Sequence, residues 1–314
     1  METKTHTSVL LNEAVDVLDI KAGDVVVDGT LGGAGHFEVI LNKLDASGTL
    51  VGIDADNEAI ERAQEAAKGY TPTIHLVENN FRNLEAILDE LHIEKASKIL
   101  LDLGWSSFHL SRGRGFSFRA DEPLLMTYGT PTEGRTAADM VNNASEEALA
   151  DLFFSLGEER FSRGIAKAIV RMREESPITT TTRLVEAVME GTPGWYQHRR
   201  IHPATKVFQA LRIAVNDELG ALRDVLEASL RRLEKGGRIS VITFHSIEDR
   251  VVKEFFRDAM QRGEGIVLTK KPLVPSSEEV AQNPRARSAK LRVFEVGTHA
   301  PLKASFTRNV HTYA

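Results

Sequence analysis

Two hydrophobic periods alternate along the first hundred residues. Short apolar runs at 25–28, 50–54, 73–77 and 98–102 read as strands. Between them, Phe37, Ile40, Leu41 and Leu44, then Ala59, Ile60, Ala63 and Ala67, then Leu84, Ile87, Leu88 and Leu91 recur at three-and-four spacing, as on the buried face of a helix. This alternation predicts an α/β fold built from βα units, with a mostly parallel sheet and helices on both faces. The next run with strand character, 238–244, follows the Gly236-Gly237 stop and begins 136 residues beyond Asp102. A crossover needs only a few tens of residues, so about a hundred are surplus.

The surplus is helical in pattern. Ser145 can cap a helix over 146–156 that Gly157 ends, and 158–175 continues as another before Pro177. Pro203 suits the first turn of a long pattern through Val207, Leu211, Val215, Leu219, Leu222, Leu226, Leu230 and Leu233, with a kink near Gly220. These signals divide the chain into an α/β domain made of 1–111 and 213–314 and an inserted helical domain, 112–212. After the fifth strand come a helix near 248–261, two edge strands at 266–269 and 291–296, and between these a loop with Pro272, Pro275 and Pro284.

Composition narrows the chemistry. With no cysteine among 314 residues there is no disulfide framework, no thiolate metal site and no thiolate nucleophile. The first residues are polar and no later run approaches the roughly 18 apolar residues of a membrane span, so a soluble cytoplasmic protein is expected. A net charge of −6 argues against non-specific coating of nucleic acid but leaves room for local basic patches.

The most informative stretch is Asp28-Gly29-Thr-Leu-Gly32-Gly33-Ala34-Gly35-His36, which follows the first strand, with Asp54 ending the second. A strand, a Gly-rich turn, a helix and a distal acid are the layout of an adenosine-cofactor site. No window of the turn fits G-x-G-x-x-G. A pyrophosphate needs that close approach, whereas S-adenosylmethionine carries no phosphate, so the turn leans toward a methyl donor. Asp54 can accept from ribose hydroxyls, or it is an ordinary surface acid. Phe81 stands where adenine stacks, or where a helix-entry staple packs. Asp102 closes strand four and faces the crevice at the strands' carboxyl ends, or else caps a turn. His245 and Ser246 follow strand five at the same edge, as candidate base or as structural residues. The ten histidines form no metal-ligand spacing, and no metal is expected. Cations cluster at Arg112, Arg114 and Arg119, at Arg160, Arg163, Lys167 and Arg171, and at Arg285, Arg287, Lys290 and Arg292. They are either solvated faces or, grouped around one crevice, phosphate contacts for RNA.

Segments 6–15, 28–36, 100–104 with Ser106-Ser107, 114–118, 202–205, 244–250 and 283–288 occur in order over nearly the whole chain. Together they resemble the ribosomal small-subunit RNA (cytosine N4)-methyltransferases called RsmH or MraW. The resemblance implies a class I S-adenosylmethionine-dependent methyltransferase, Rossmann-like, with a helical insert that recognises substrate. It implies methylation of the exocyclic amine of a cytidine in 16S ribosomal RNA of the small ribosomal subunit, and it leaves room for a homodimer. It further implies that Ala34, Gly35, His36, Asp54, Phe81, Asp102 and His109 line the cofactor site. Two departures stand out: His109 replaces a glutamine, and Asp121-Glu-Pro-Leu-Leu-Met-Thr-Tyr128 replaces Gly-Pro-Leu-Asp-Met-Arg-Met, removing an acid and an arginine beside the expected active site. The expected chemistry is direct in-line transfer without a covalent intermediate, with Asp102 and the Leu103-Gly104 backbone, then His245, as catalytic candidates. Two rivals are a non-catalytic RNA-binding protein that keeps the fold and, disfavoured by the turn, a nicotinamide-dependent oxidoreductase.

Overall fold

The computed structural model describes residues 8–104, 113–128 and 136–297. Seven strands form one sheet: β1 Val25–Asp28, β2 Thr49–Asp54, β3 Thr73–Glu78, β4 Ala96–Asp102, β5 Leu233–Thr243, β6 Gly265–Val267 and β7 Lys290–Val296. Their order is β3-β2-β1-β4-β5-β7-β6. The first five strands are parallel, and β7 runs antiparallel to both β5 and β6. This arrangement is the mostly parallel, Rossmann-like sheet that the alternation of strand and helix signals predicts. The strand expected at an edge over 291–296 is instead interior, between β5 and β6. Its central residues Leu291–Phe294 are buried, as a strand covered on both faces requires.

Helices α1 Leu11–Asp16, α2 Gly35–Leu41 and α3 Asn57–Ala66 cover one face of the sheet, and α4 Leu84–Glu90 lies on the other. Asp56 caps α3 by accepting from the Glu58 N–H (3.1 Å). The long middle stretch holds α5 Ala137–Asn143, α6 Glu146–Gly157, α7 Ser162–Glu175, α8 Thr181–Glu190, α9 Gly194–Gln197, α10 Ala204–Val215 and α11 Glu218–Arg232. Helices α12 Ser246–Gln261 and α13 Ser277–Gln282 follow. A separate apolar cluster, from Phe116 and Leu124 through Phe153, Ile169 and Leu184 to Leu211, forms the core of the middle segment. It shares no buried residue with the two clusters that sandwich the sheet.

Four further features differ from the sequence pattern. Strand β5 begins at Leu233 rather than 238, so Gly236-Gly237 lies within it instead of preceding it. Ser145 does cap α6, accepting from the Ala148 N–H (3.1 Å), but Gly157 stays helical and Glu158, at φ 50°, ends the helix. Gly157 is needed for close packing, since a Cβ there would lie 2.7 Å from the Lys206 carbonyl oxygen on α10. The expected long helix after Pro203 is two helices, broken at Asn216-Asp217 rather than kinked at Gly220. Asp217 adopts left-handed φ 46°, a conformation Asp tolerates better than most residues, and Arg82 binds its carboxylate at 2.8 Å. The proline-bearing loop before β7 contains α13 and a 3-10 turn, Pro284–Ser288.

Candidate active site

A cleft of about 1040 Å³, open mouth included, lies at the carboxyl ends of β1, β2 and β4. Its floor is the turn after β1. There the Gly29 N–H donates to the Leu100 carbonyl (2.9 Å), and a Cβ at Gly29 would lie 2.6 Å from Leu101 Cδ2. Gly32 takes φ 48° and its N–H donates to Asp54 Oδ2 (2.9 Å), while Asp54 Oδ1 accepts from the Asp56 N–H (2.9 Å). Asp54 therefore fastens the turn to the end of β2. Burial raises its carboxyl above the ordinary carboxylate range, and these two N–H groups oppose the rise.

Asp102 sits opposite. Its N–H donates to Thr30 Oγ1 (2.7 Å) and its Oδ1 accepts from the Gly104 N–H (3.1 Å), so it caps the following turn while facing the cleft. Burial pushes this carboxyl up to about 7, with Asp28 and Glu248 adding repulsion. His36 Nδ1 lies 3.6 Å from Asp102 Oδ2, and Nε2 lies 3.2 Å from the Val9 carbonyl, which can only accept and so places a hydrogen on Nε2. Asp28, fully buried behind the turn, accepts from the Thr30 N–H (3.1 Å) through Oδ1. Its Oδ2 has no hydrogen-bond partner among the described residues, and burial raises this carboxyl too to about 7.

Of the residues expected to bind the cofactor, His36, Asp54, Phe81 and Asp102 line the cleft. Ala34 and Gly35 do not. Ala34 is buried at φ 64° ahead of α2, and Gly35 packs against Ser8 so closely that a Cβ would collide with its Oγ, while Gly32 and Gly33 form the wall. His109 lies outside the described residues. His245 stands outside the lining as the cap of α12: its Nδ1 accepts from the Glu248 N–H (3.3 Å), and its Nε2 lies 3.0 Å from Glu248 Oε1 but off the line of a hydrogen bond. Glu248 lines the cleft in its place. Burial alone would raise the Glu248 carboxyl, yet His245, Arg212 and the Phe244 N–H hold it below its ordinary value.

The far wall was not legible in the sequence. Tyr128, Asn216 and Glu218 complete the cleft. The Tyr128 hydroxyl donates to Glu218 Oε1 (2.7 Å), Arg212 binds both Glu218 oxygens (2.7 and 2.9 Å), and Asn216 Oδ1 accepts from the Tyr128 N–H (3.0 Å). The divergent 121–128 stretch thus supplies a wall residue. It is held in place by Glu122 accepting from the Gly115 N–H (2.9 Å) and by Arg114 donating to the Tyr128 carbonyl (2.9 Å). The one sequence hint was the Asn216-Asp217 pair, a helix-breaking pair inside an otherwise regular pattern. Ligand atoms of Glu218, His245 and Glu248 lie within 4.8 Å of one another. Both Glu218 oxygens are already taken by Arg212 and Tyr128, so the group is an internal ion-pair network.

Residues 3–297 match the model of the MraW methylase family. The chain belongs to the MraW methylase family. Two proteins named ribosomal RNA small subunit methyltransferase H are each 47% identical to it. The one from Syntrophotalea carbinolica covers 93% of this chain and 98% of its own length, and the one from Clostridium botulinum covers 93% and 99%. A solved putative rRNA-methylase from Clostridium thermocellum covers 92% of this chain and 98% of its own at 12% identity and a TM-score of 0.45, a loose likeness. A methylase of this family draws on S-adenosylmethionine, and the cleft fits that group. Asp54 offers carboxylate lone pairs beside a flat ring, Phe81, and the Gly29-to-Gly33 turn leaves room where side chains would intrude.

Proposed function

We propose that this MraW-family methylase transfers a methyl group to N4 of a cytidine in 16S ribosomal RNA, within the small ribosomal subunit and in the cytoplasm. The observation that carries the reading is that Asp54 and Asp102 face one cleft across the glycine turn. One acid is placed for the donor's ribose and the other for the acceptor amine. The name borne by relatives 47% identical over nearly their whole length supports the RNA substrate. S-adenosylmethionine, when bound, supplies an electrophilic methyl on a sulfonium. Asp54 and Phe81 hold the adenosine end, and Gly32, Gly33 and His36 border the remainder.

The amine lone pair of cytosine is delocalised into the ring and attacks poorly until it rehybridises. Asp102 can accept one amine proton in a hydrogen bond, which localises the lone pair and stabilises positive charge as the N–C bond forms. The same carboxylate then takes the proton that the methylated nitrogen must lose. His36, hydrogen-bonded to Val9, stands beside Asp102 on the cleft wall, its Nδ1 3.6 Å from Asp102 Oδ2. A cytosine in folded RNA must be splayed out to reach this depth, and residues 112–212, with their own apolar core, serve as the substrate-recognition domain that holds it.

The test is incubation with methyl-labelled donor and either protein-free 16S ribosomal RNA or small subunits, followed by digestion to nucleosides. Label on cytidine N4 is expected. Label on a ring carbon or on ribose, or none with either substrate, overturns the reading.

A further inference from the structure

The middle segment carries an exposed aromatic side chain that the active site does not use. Trp195 on α9 is 58% exposed, although Trp is a side chain that folding normally buries. It does not hang on a loose loop. Gln197 donates from Nε2 to the Met189 and Thr192 carbonyls (2.7 and 3.0 Å), and Thr192 donates to the Val188 carbonyl (3.0 Å). Tyr196, packed edge-on to Trp195 at 5.8 Å, donates its hydroxyl to the fully buried Glu159 (2.8 Å). The indole is therefore held out rigidly, and presenting it to a ligand loses little conformational entropy.

Single exposed apolar side chains are common. The charge around this one is not. No Asp or Glu occurs from Arg160 to Arg173 or from Gly191 to Asn216, in a protein whose net charge is −6. The Arg160 guanidinium stands 4.7 Å from the Phe161 ring centre and 5.1 Å from that of Trp195, and Arg199 stands 5.5 Å from Tyr196. Glycines bring the rest close. A Cβ at Gly164 would lie 2.5 Å from the Gly191 carbonyl oxygen, so the first turns of α7, with exposed Arg163 and Lys167, abut the loop that leads to Trp195. Among the described residues, Arg160, Arg163, Lys167, Arg199 and Arg200 have no carboxylate partner.

We propose that Trp195 with Arg160, Arg163, Lys167, Arg199 and Arg200 forms a docking platform for an unpaired segment of the substrate RNA, one base stacking on the indole while the guanidinium groups take flanking phosphates. This rests on the ribosomal RNA reading above. Unpaired bases are the part of RNA that offers free faces to aromatic rings, and uncompensated cations on a rigid surface complement its backbone. The platform binds substrate away from the transferring atoms, so it governs capture rather than transfer.

The test compares wild type with Trp195→Ala, Trp195→Phe and the double variant Arg199→Gln/Arg200→Gln. Measured are affinity for protein-free 16S ribosomal RNA across potassium chloride concentration, methylation kinetics, S-adenosylmethionine binding and melting temperature. Trp195→Ala should weaken RNA binding about ten-fold, and Trp195→Phe, which keeps an aromatic face for stacking, should restore most of it. The double variant should flatten the slope of log affinity against log salt by about 1.4, roughly 0.7 for each single-strand phosphate left without its arginine. KM should rise while kcat, donor binding and melting temperature stay as in wild type. Wild-type RNA affinity in all three variants overturns the platform, as does a loss seen with intact subunits but not with protein-free RNA, which would mark a ribosomal protein as the partner. Unchanged affinity with normal N4 product leaves the function standing without the platform. Variant-sensitive RNA binding with no methylated nucleoside does the reverse.

Discussion

Asp28 and Asp102 end neighbouring parallel strands, and burial brings both carboxyls to about 7. Each is more easily protonated folded than unfolded, so the stability linked to it is full below the unfolded value near 4 and is lost as pH rises through about 7. The melting temperature of the ligand-free protein should fall between pH 5 and 8, above the range in which lowered carboxyls such as Glu248 and Asp249 take up protons. Asp28→Asn, which removes a buried charge with one unpartnered oxygen, should flatten that fall; a slope as steep as wild type would count against it. The same direction governs turnover. Because Asp102 must be ionised to accept the amine proton, kcat/KM should climb through about pH 7 and level off, and Asp102→Asn should lower kcat by about a hundred-fold or more with donor affinity retained. Asp54→Ala should weaken donor binding, measured by calorimetry, by roughly ten- to a hundred-fold, the worth of charge-assisted hydrogen bonds. Asp54, Phe81 and Asp102 were legible in the sequence because a parallel strand's carboxyl end fixes where the next residue stands. Tyr128 and Glu218 were not, since they lie 90 residues apart in sequence and are brought together by their own hydrogen bond and by Arg212 and Asn216, across a helix break that apolar periodicity does not register.

At the scale of elements, close backbone approach decides what the helices can tolerate. Gly157→Ala would set a methyl group 2.7 Å from the Lys206 carbonyl, so α6 and α10 must separate. A loss of about 1–3 kcal/mol in urea unfolding is expected despite alanine's better helix propensity. The first four strands were read to within two residues because their centres are apolar and pack between two buried layers, whereas β5 begins five residues before its apolar run, at Leu233. What the pattern did not carry was order. A short strand of mixed apolar and charged residues looks alike at the edge and in the interior, and β7 is interior only because β6 pairs with its outer side. Helix α8 went unread as well, since its buried Thr181, Leu184, Ala187 and Val188 include too few large apolar residues to stand out.

On the scale of the whole molecule, the cleft takes walls from 29–33, His36, 54–56, 79–81, 102–104, Tyr128, Asn216, Glu218, 221–222 and Glu248, so its ligand touches segments from most of the chain. Donor at a hundred times its dissociation constant should add about 2.7 kcal/mol to global unfolding, read as a rise in melting temperature. Asp54→Ala should lose most of that rise. The sheet order has a consequence during synthesis as well. Strand β4 pairs with β1 on one side, but its other neighbour, β5, begins 131 residues after β4 ends, from Asp102 to Leu233. At about 5–20 residues per second a ribosome spends roughly 7 to 26 s on that interval. All that time the nascent sheet β3-β2-β1-β4 shows an open, apolar edge, the kind of surface on which another chain can add a strand. The middle segment, whose described residues form an apolar cluster of their own, is made in the same interval, so that cluster is complete in sequence while the edge still waits for β5.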